Sequence, residues 1–144
     1  RRAQELMANG THFMNRHGLH DDNHYTTAYD LYLIFNECIK HEDFVNIIQS
    51  EAYTAYYTDV DGNSQEALFT PTNLYAQGEV DVPENVTIVG GKTGTTDEAG
   101  YCLILMEKDS SDNPYISIVM GASEKTDLYE DMTSLIEAIP SGQQ

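Results

Sequence analysis

The chain has 144 residues, 40% of them hydrophobic, with 24 acidic against 7 basic side chains and a formal net charge of −17. That length supports one domain with its own apolar core, while the negative field disfavours nucleic acid and anionic membrane surfaces as partners. No apolar run approaches the roughly 20 residues that a membrane-crossing helix needs, and the sequence opens on Arg1-Arg2 rather than methionine, as a mature product or a piece of a longer chain does.

Ala3 to Met7 read as the last turns of a helix stopped by Asn9-Gly10. A loop rich in His, Asp and Asn follows, from Phe13 to Thr26. Thr27 then reads as an N-cap with Asp30 as its capping-box partner, and Ala28, Leu31, Phe35, Cys38 and Ile39 recur on one helical face. A shorter helix from Glu42 to Gln49 is expected to bury Phe44, Ile47 and Ile48. Next, the runs Tyr53 to Thr58 and Ala67 to Phe69 flank Asp61-Gly62-Asn63, which suggests a hairpin. Tyr53, Tyr56 and Tyr57 read as half-buried strand packing, with a sugar-stacking platform as the alternative. Pro71 to Glu84 reads as loop.

Three stronger strands follow, Val86 to Thr93, Tyr101 to Lys108 and Tyr115 to Gly121. Their short connections make them consecutive antiparallel neighbours. The unbroken apolar run Cys102 to Met106 calls for cover on both faces. A last helix, with Asp127 and Glu130 as a capping box and Leu128, Met132, Leu135, Ile136 and Ile139 as its apolar stripe, supplies cover and ends at Pro140. The expected fold class is α+β, an antiparallel sheet packed with helices. Cys38 and Cys102 read as buried free thiols, a single bridge remaining open in an oxidising compartment.

The stretch Gly90-Gly91-Lys92-Thr93-Gly94-Thr95-Thr96 carries the chemistry. It sets one of seven basic residues at the end of an apolar strand, between glycines that let a ligand backbone approach. A phosphate loop needs GxxxxGK[ST] followed by a helix; here Val86 stands in place of the first glycine and a turn and strand follow. The Lys-Thr-Gly strand motif of penicillin-binding proteins and serine β-lactamases fits the order strand, motif, turn, strand, turn, strand, helix.

Together with Thr11-His12-Phe13-Met14-Asn15, His17-Gly18-Leu19-His20-Asp21 and His24-Tyr25-Thr26-Thr27-Ala28-Tyr29-Asp30, this motif makes the chain resemble the rear of the catalytic domain of D-alanyl-D-alanine carboxypeptidases, the low-molecular-weight penicillin-binding proteins. The resemblance runs from about Ala3 to Ile139, so that residues 1–144 read as a single partial domain of β-lactamase/transpeptidase-like fold that carries only the late strands. It implies a serine peptidase that acts on peptidoglycan stem peptides ending in D-Ala-D-Ala, accepts β-lactams, needs no cofactor or metal, and works outside the cytoplasm. Lys92 and Thr95 would be its catalytic groups here. Lys92, Thr93, Gly94 and the Thr95 backbone N–H would hold the substrate, the last as an oxyanion donor. The Thr95 side chain departs from the histidine frequent there.

The family's SxxK, which holds the nucleophile and its base, occurs nowhere in these residues, and a front half of the domain is the expected partner. Ser111-Asp112-Asn113 spells the family's SxN, but it follows the Lys-Thr-Gly motif instead of preceding it and falls in a turn. The chain alone is therefore expected to be inactive. The competing readings are a noncatalytic peptidoglycan-binding remnant and the structural half of a split domain. His17, His20 and His24 with Asp21 and Asp22 match no zinc spacing and read as braces of their loop, His20 or His24 bonding local backbone. Asn9-Gly10-Thr11 and Asn85-Val86-Thr87 match glycosylation acceptors by accident.

Overall fold

The computed structural model describes residues 1–141. Within them the elements run α1 (Arg2–Glu5), α2 (Ala28–Cys38), α3 (Glu42–Ile48), β1 (Tyr53–Thr58), β2 (Ser64–Phe69), α4 (Leu74–Gln77), β3 (Val86–Thr96), β4 (Gly100–Asp109), β5 (Pro114–Ala122) and α5 (Lys125–Glu137). The three strong strands form an antiparallel sheet in the order β3-β4-β5, while β1 and β2 form a separate hairpin. This is the expected α+β architecture.

Alternation along β4 turns Leu103 and Leu105 into the core, where they meet Leu128, Met132 and Ile136 of α5, all buried. Each such side chain contributes about 1.5–3 kcal/mol of burial, which makes the β4–α5 contact the centre of the fold. The opposite face of β4 has weaker cover than expected, since Cys102, Ile104 and Met106 are only half-buried. There α2 touches β5 and α3 touches β3, and neither contributes to the α5 core.

Pro71 to Glu84 is not all loop. Asn73 caps α4, its Oδ1 accepting from the Tyr75 amide at 3.1 Å, and Gly78 ends the turn at φ 72°. Tyr75 is buried against Tyr129, ring centroids 5.4 Å apart, and the Tyr129 hydroxyl accepts from the Leu74 amide at 2.9 Å. Four residues leave no helical periodicity to read; tertiary contact holds this turn.

Several local expectations shift. The capping box of α2 is half made: Thr27 Oγ1 accepts from the Asp30 amide at 3.0 Å, but the Asp30 carboxylate takes the Thr11 hydroxyl at 2.6 Å. The first helix ends at Glu5, with Leu6 at its cap and Met7 turning left-handed at φ 62°, well before Gly10. The last helix begins at Lys125, with Glu124 at the cap and no side-chain cap bond, so Asp127 sits in the first turn. Leu135 is 45% exposed, off the apolar stripe. Ile47 is 72% exposed, because α3 meets the sheet through the backbone at Ile48, whose carbonyl oxygen lies 2.1 Å from where a Cβ on Gly90 would stand. Tyr53, Tyr56 and Tyr57 are exposed, not half-buried, since their hairpin is not joined to the larger sheet. Both cysteines are free and half-buried, and burial pushes the Cys38 thiol up.

Candidate functional site

β3 is an edge strand, and it runs through Thr96, so the whole Lys92 to Thr95 motif is strand. Its alternate N–H and C=O groups face away from β4 and are open to an added strand. A bulge between Ile88 and Gly90 resets its alternation, after which Lys92 pairs with Ile104, Thr93 with Leu103, Gly94 with Cys102 and Thr95 with Tyr101. Paired residues share a face. Gly91 thereby falls on the Leu105 side, where a Cβ would meet Leu105 Cδ2 at 2.8 Å and the Ile104 carbonyl oxygen at 2.1 Å, so only glycine lets the two strands come this close.

Two cavities of about 730 and 810 Å³ share Thr72, Lys92 and Thr93 in their walls. The first is largely apolar, with Ile48, Tyr53 and Phe69 among its lining residues. The second runs along Lys92 to Thr96 and brings in Arg16 and His17 from the N-terminal loop and Lys125 from α5. The Lys92 ammonium donates to the Thr93 carbonyl, which uses one of its three protons. Thr93 Oγ1 hydrogen-bonds Thr72 Oγ1 across the gap between the cavities. Lys92 and Thr95 are exposed and Thr93 half-buried, so the motif is accessible from solvent.

The charges divide sharply. Arg1, Arg2, Lys40 and Lys108 each form an ion pair, at 3.4 Å to Glu5, 2.6 Å to Glu37, 2.7 Å to Glu37 and 2.8 Å to Asp112. Arg16, Lys92 and Lys125, the other three of the seven basic residues, all line the second cavity, and none is ion-paired among the described residues. No carboxylate lies in that wall. In a chain with 24 acidic side chains, this wall gathers three cations and no carboxylate, a lining whose chemistry suits a carboxylate.

The sequence motif marked Lys92, Thr93, Gly94 and Thr95 as candidates, and the fold places all four on one open strand edge. It did not find Thr72, Arg16 or Lys125, which come from three distant segments and carry no local signature. Ser111 and Asn113 lie elsewhere. Their amides donate to Asp109 Oδ1 at 2.8 and 2.9 Å in the β4–β5 turn, and Asp109 pairs with Val86 at the far end of β3 from Lys92.

The histidine loop is braced from within. His24 Nδ1 accepts from the Met14 amide at 3.0 Å and His17 Nδ1 from the Leu19 amide at 3.2 Å, while His20 meets Asp22 at 3.1 Å rather than backbone. Asn85 spends its side-chain amide on the Ile136 and Ile139 carbonyls, at 2.9 and 2.8 Å, closing the end of α5. Ser50, in the wall of the first cavity, donates its hydroxyl to the Asn46 carbonyl at 2.6 Å, without a base beside it. The site as described can hold an anion and an extended backbone; it presents no activated serine.

The family description D-alanyl-D-alanine carboxypeptidase matches residues 1–124. The chain is 28% identical over 137 residues to the D-alanyl-D-alanine carboxypeptidase DacF of Bacillus subtilis, an alignment that covers 95% of this chain and 32% of that protein. With DacA of Haemophilus influenzae it shares 29% over 119 residues, 83% of this chain and 27% of the relative. Among solved structures, the Streptomyces K15 DD-transpeptidase superposes with a TM-score of 0.78 at 26% identity, over 94% of this chain and 49% of that one. The D-alanyl-D-alanine carboxypeptidase of Mycobacterium tuberculosis shares the fold, with a TM-score of 0.73 at 23% identity over 94% of this chain and 49% of that one. The chain thus spans about a third of the curated relatives' length and half of the structural ones. With residues 1–124 matched, the chain belongs to the D-alanyl-D-alanine carboxypeptidase family.

Proposed function

We propose that these residues are the substrate-holding rear portion, a single partial domain, of a serine-type D-Ala-D-Ala carboxypeptidase of the cell envelope. The observation that carries this reading is Lys92, unpaired and exposed on the open edge of β3, in the wall shared by both cavities. A peptidoglycan stem peptide would add to that edge as an extended strand. Its terminal carboxylate would meet the Lys92 ammonium and the Thr93 hydroxyl, with Thr93 turning away from Thr72 to do so. Gly94, without a side chain, leaves room for the ligand backbone.

The scissile carbonyl would then lie by the Thr95 N–H, one of two oxyanion donors. A serine and lysine from the front half of the domain would complete the reaction: the serine attacks, D-alanine leaves with the proton, and water hydrolyses the acyl-enzyme. β-Lactams would be taken as mimics of the same peptide. The lack of any SxxK in these 144 residues favours, as a second reading, a segment that binds such peptides without cleaving them.

A fluorescent penicillin followed by denaturing electrophoresis tests the assignment. The 144-residue chain alone should take up no covalent label, and a labelled band refutes the division of labour between the halves. When a front half carrying SxxK and SxN is joined to the chain, Lys92→Ala should slow acylation more than tenfold, since one hydrogen bond to a charged group contributes about 1.5–3 kcal/mol. Unchanged acylation removes Lys92 from the site.

A further inference from the structure

Thr72 stands 21 residues before Thr93 in the sequence, yet the two hydroxyls are hydrogen-bonded. The contact is set from the interior of the fold. The carbonyl of Pro71 accepts from the Gln77 side-chain amide at 2.7 Å, and Asn73, 4% exposed, caps α4. The Leu74 amide donates to the Tyr129 hydroxyl at 2.9 Å, and the Tyr75 hydroxyl bonds Thr133 Oγ1 at 2.7 Å, so α5 holds the segment that carries Thr72. On the other side, Thr93 pairs with Leu103, which is buried in the core that α5 completes. Both threonines are thus anchored to one helix, and the core fixes how their hydroxyls meet.

A hydroxyl has one proton to give and two lone pairs with which to accept. In the pair as it stands, either threonine can be the donor. A ligand carboxylate, which only accepts, removes that freedom. Thr93 has to turn its single proton from Thr72 to the ligand, and the bond between the threonines then survives only if Thr72 becomes the donor to Thr93 Oγ1. Donation into Thr93 Oγ1 polarises its O–H and strengthens the bond that it gives. It also keeps the β-branched Thr93 side chain in one rotamer as the ligand arrives. Valine in place of Thr72 keeps the shape and loses the proton, whereas serine keeps the proton.

We infer that Thr72 is a positioning residue of the site, the donor that holds and polarises the Thr93 hydroxyl while that hydroxyl binds the ligand's carboxylate. This rests on the assignment of the carboxylate to Lys92 and Thr93. It adds the turn before α4, and α5 behind it, to the parts of the fold on which the motif depends.

Rates of acylation by a fluorescent penicillin, with a front half carrying SxxK and SxN joined to the chain and the fold of each variant verified by circular dichroism, test the role. Thr72→Val should slow acylation about three- to tenfold, the loss of one neutral hydrogen bond, and Thr72→Ala should repeat that loss, while Thr72→Ser stays within about twofold of the unaltered protein. Thr93→Val should slow acylation further, and on that background Thr72→Val should have no additional effect, because Thr72 acts only through Thr93. An unaltered rate in Thr72→Val, a loss in Thr72→Ser equal to that in Thr72→Val, or a Thr72→Val loss undiminished on the Thr93→Val background overturns the role of Thr72 and leaves the site standing. Unchanged acylation in both Lys92→Ala and Thr93→Val overturns the carboxylate assignment itself, and the role of Thr72 with it.

Discussion

Glu107 offers a quantitative test of the core. It lies on β4 between Met106 and Lys108, fully buried, and neither carboxyl oxygen reaches a hydrogen-bond partner. Burial pushes its pKa up to about 7 from 4.5, and the nearby Ser117 hydroxyl and the backbone amides of Glu107 and Ser117, none of them in hydrogen-bonding geometry with the carboxyl, offset that only in part. Tyr75 on α4 feels the same charge, which, after burial and with Tyr129 and Glu137, helps hold its own hydroxyl above the usual range. With the folded pKa above the unfolded one, the neutral acid is what the fold prefers. The stabilisation is complete below about pH 4.5 and is lost as pH rises through about 7.

A difference of about 2.5 pH units, at 1.36 kcal/mol each, sets the whole effect at about 3 kcal/mol. That is a large part of the 5–15 kcal/mol typical of a domain. Because the net charge of −17 also changes with pH, the informative quantity is the difference between the chain and Glu107→Gln, in which the common charge effects cancel. Urea unfolding followed by circular dichroism from pH 5 to pH 8 should show Glu107→Gln gaining about 2–3 kcal/mol over the unaltered chain across that range. Parallel pH profiles for the two proteins would refute a neutral buried Glu107.

Two further outcomes follow from the sheet. Gly90→Ala should destabilise by about 1–3 kcal/mol or more, since its Cβ would sit 2.1 Å from the Ile48 carbonyl oxygen and force α3 off β3; chemical denaturation measures the loss. β5, the other edge of the three-stranded sheet, should draw a neighbour. The sedimentation coefficient of the chain should rise with concentration, and β5 amides that face away from β4 should exchange rapidly at low concentration. A monomer with every β5 amide protected would defeat the open-edge argument.

What could be read before folding was whatever local pattern dictates. The strands β3 to β5 announce themselves by apolar runs punctuated at Asp97 to Gly100 and Asp109 to Pro114, and the hairpin β1–β2 by Asp61-Gly62, where Gly62 indeed takes φ 84°. The Lys92 motif is legible because its residues are contiguous on one strand edge. What failed were inferences from side-chain type to burial. Tyr53 and Ile47 look like core residues, but a residue is buried only if another element covers it, and that is a property of the tertiary arrangement.

Arg16 and Lys125 were illegible for the same reason in reverse. On a chain so acidic, a lone basic residue reads as one half of a surface ion pair, and for Arg2, Lys40 and Lys108 that reading is correct. Only the fold shows which cations lack a carboxylate within reach, and it leaves them around the one strand edge that the motif had already marked. Two independent lines thus meet at Lys92, one from contiguous sequence and one from the distribution of charge in space. Because an exposed cation without an ion-pair partner contributes little to stability, removing Arg16 or Lys125 should leave the unfolding midpoint nearly unchanged while altering what the cavity binds, which is the signature of side chains that serve a ligand rather than the fold.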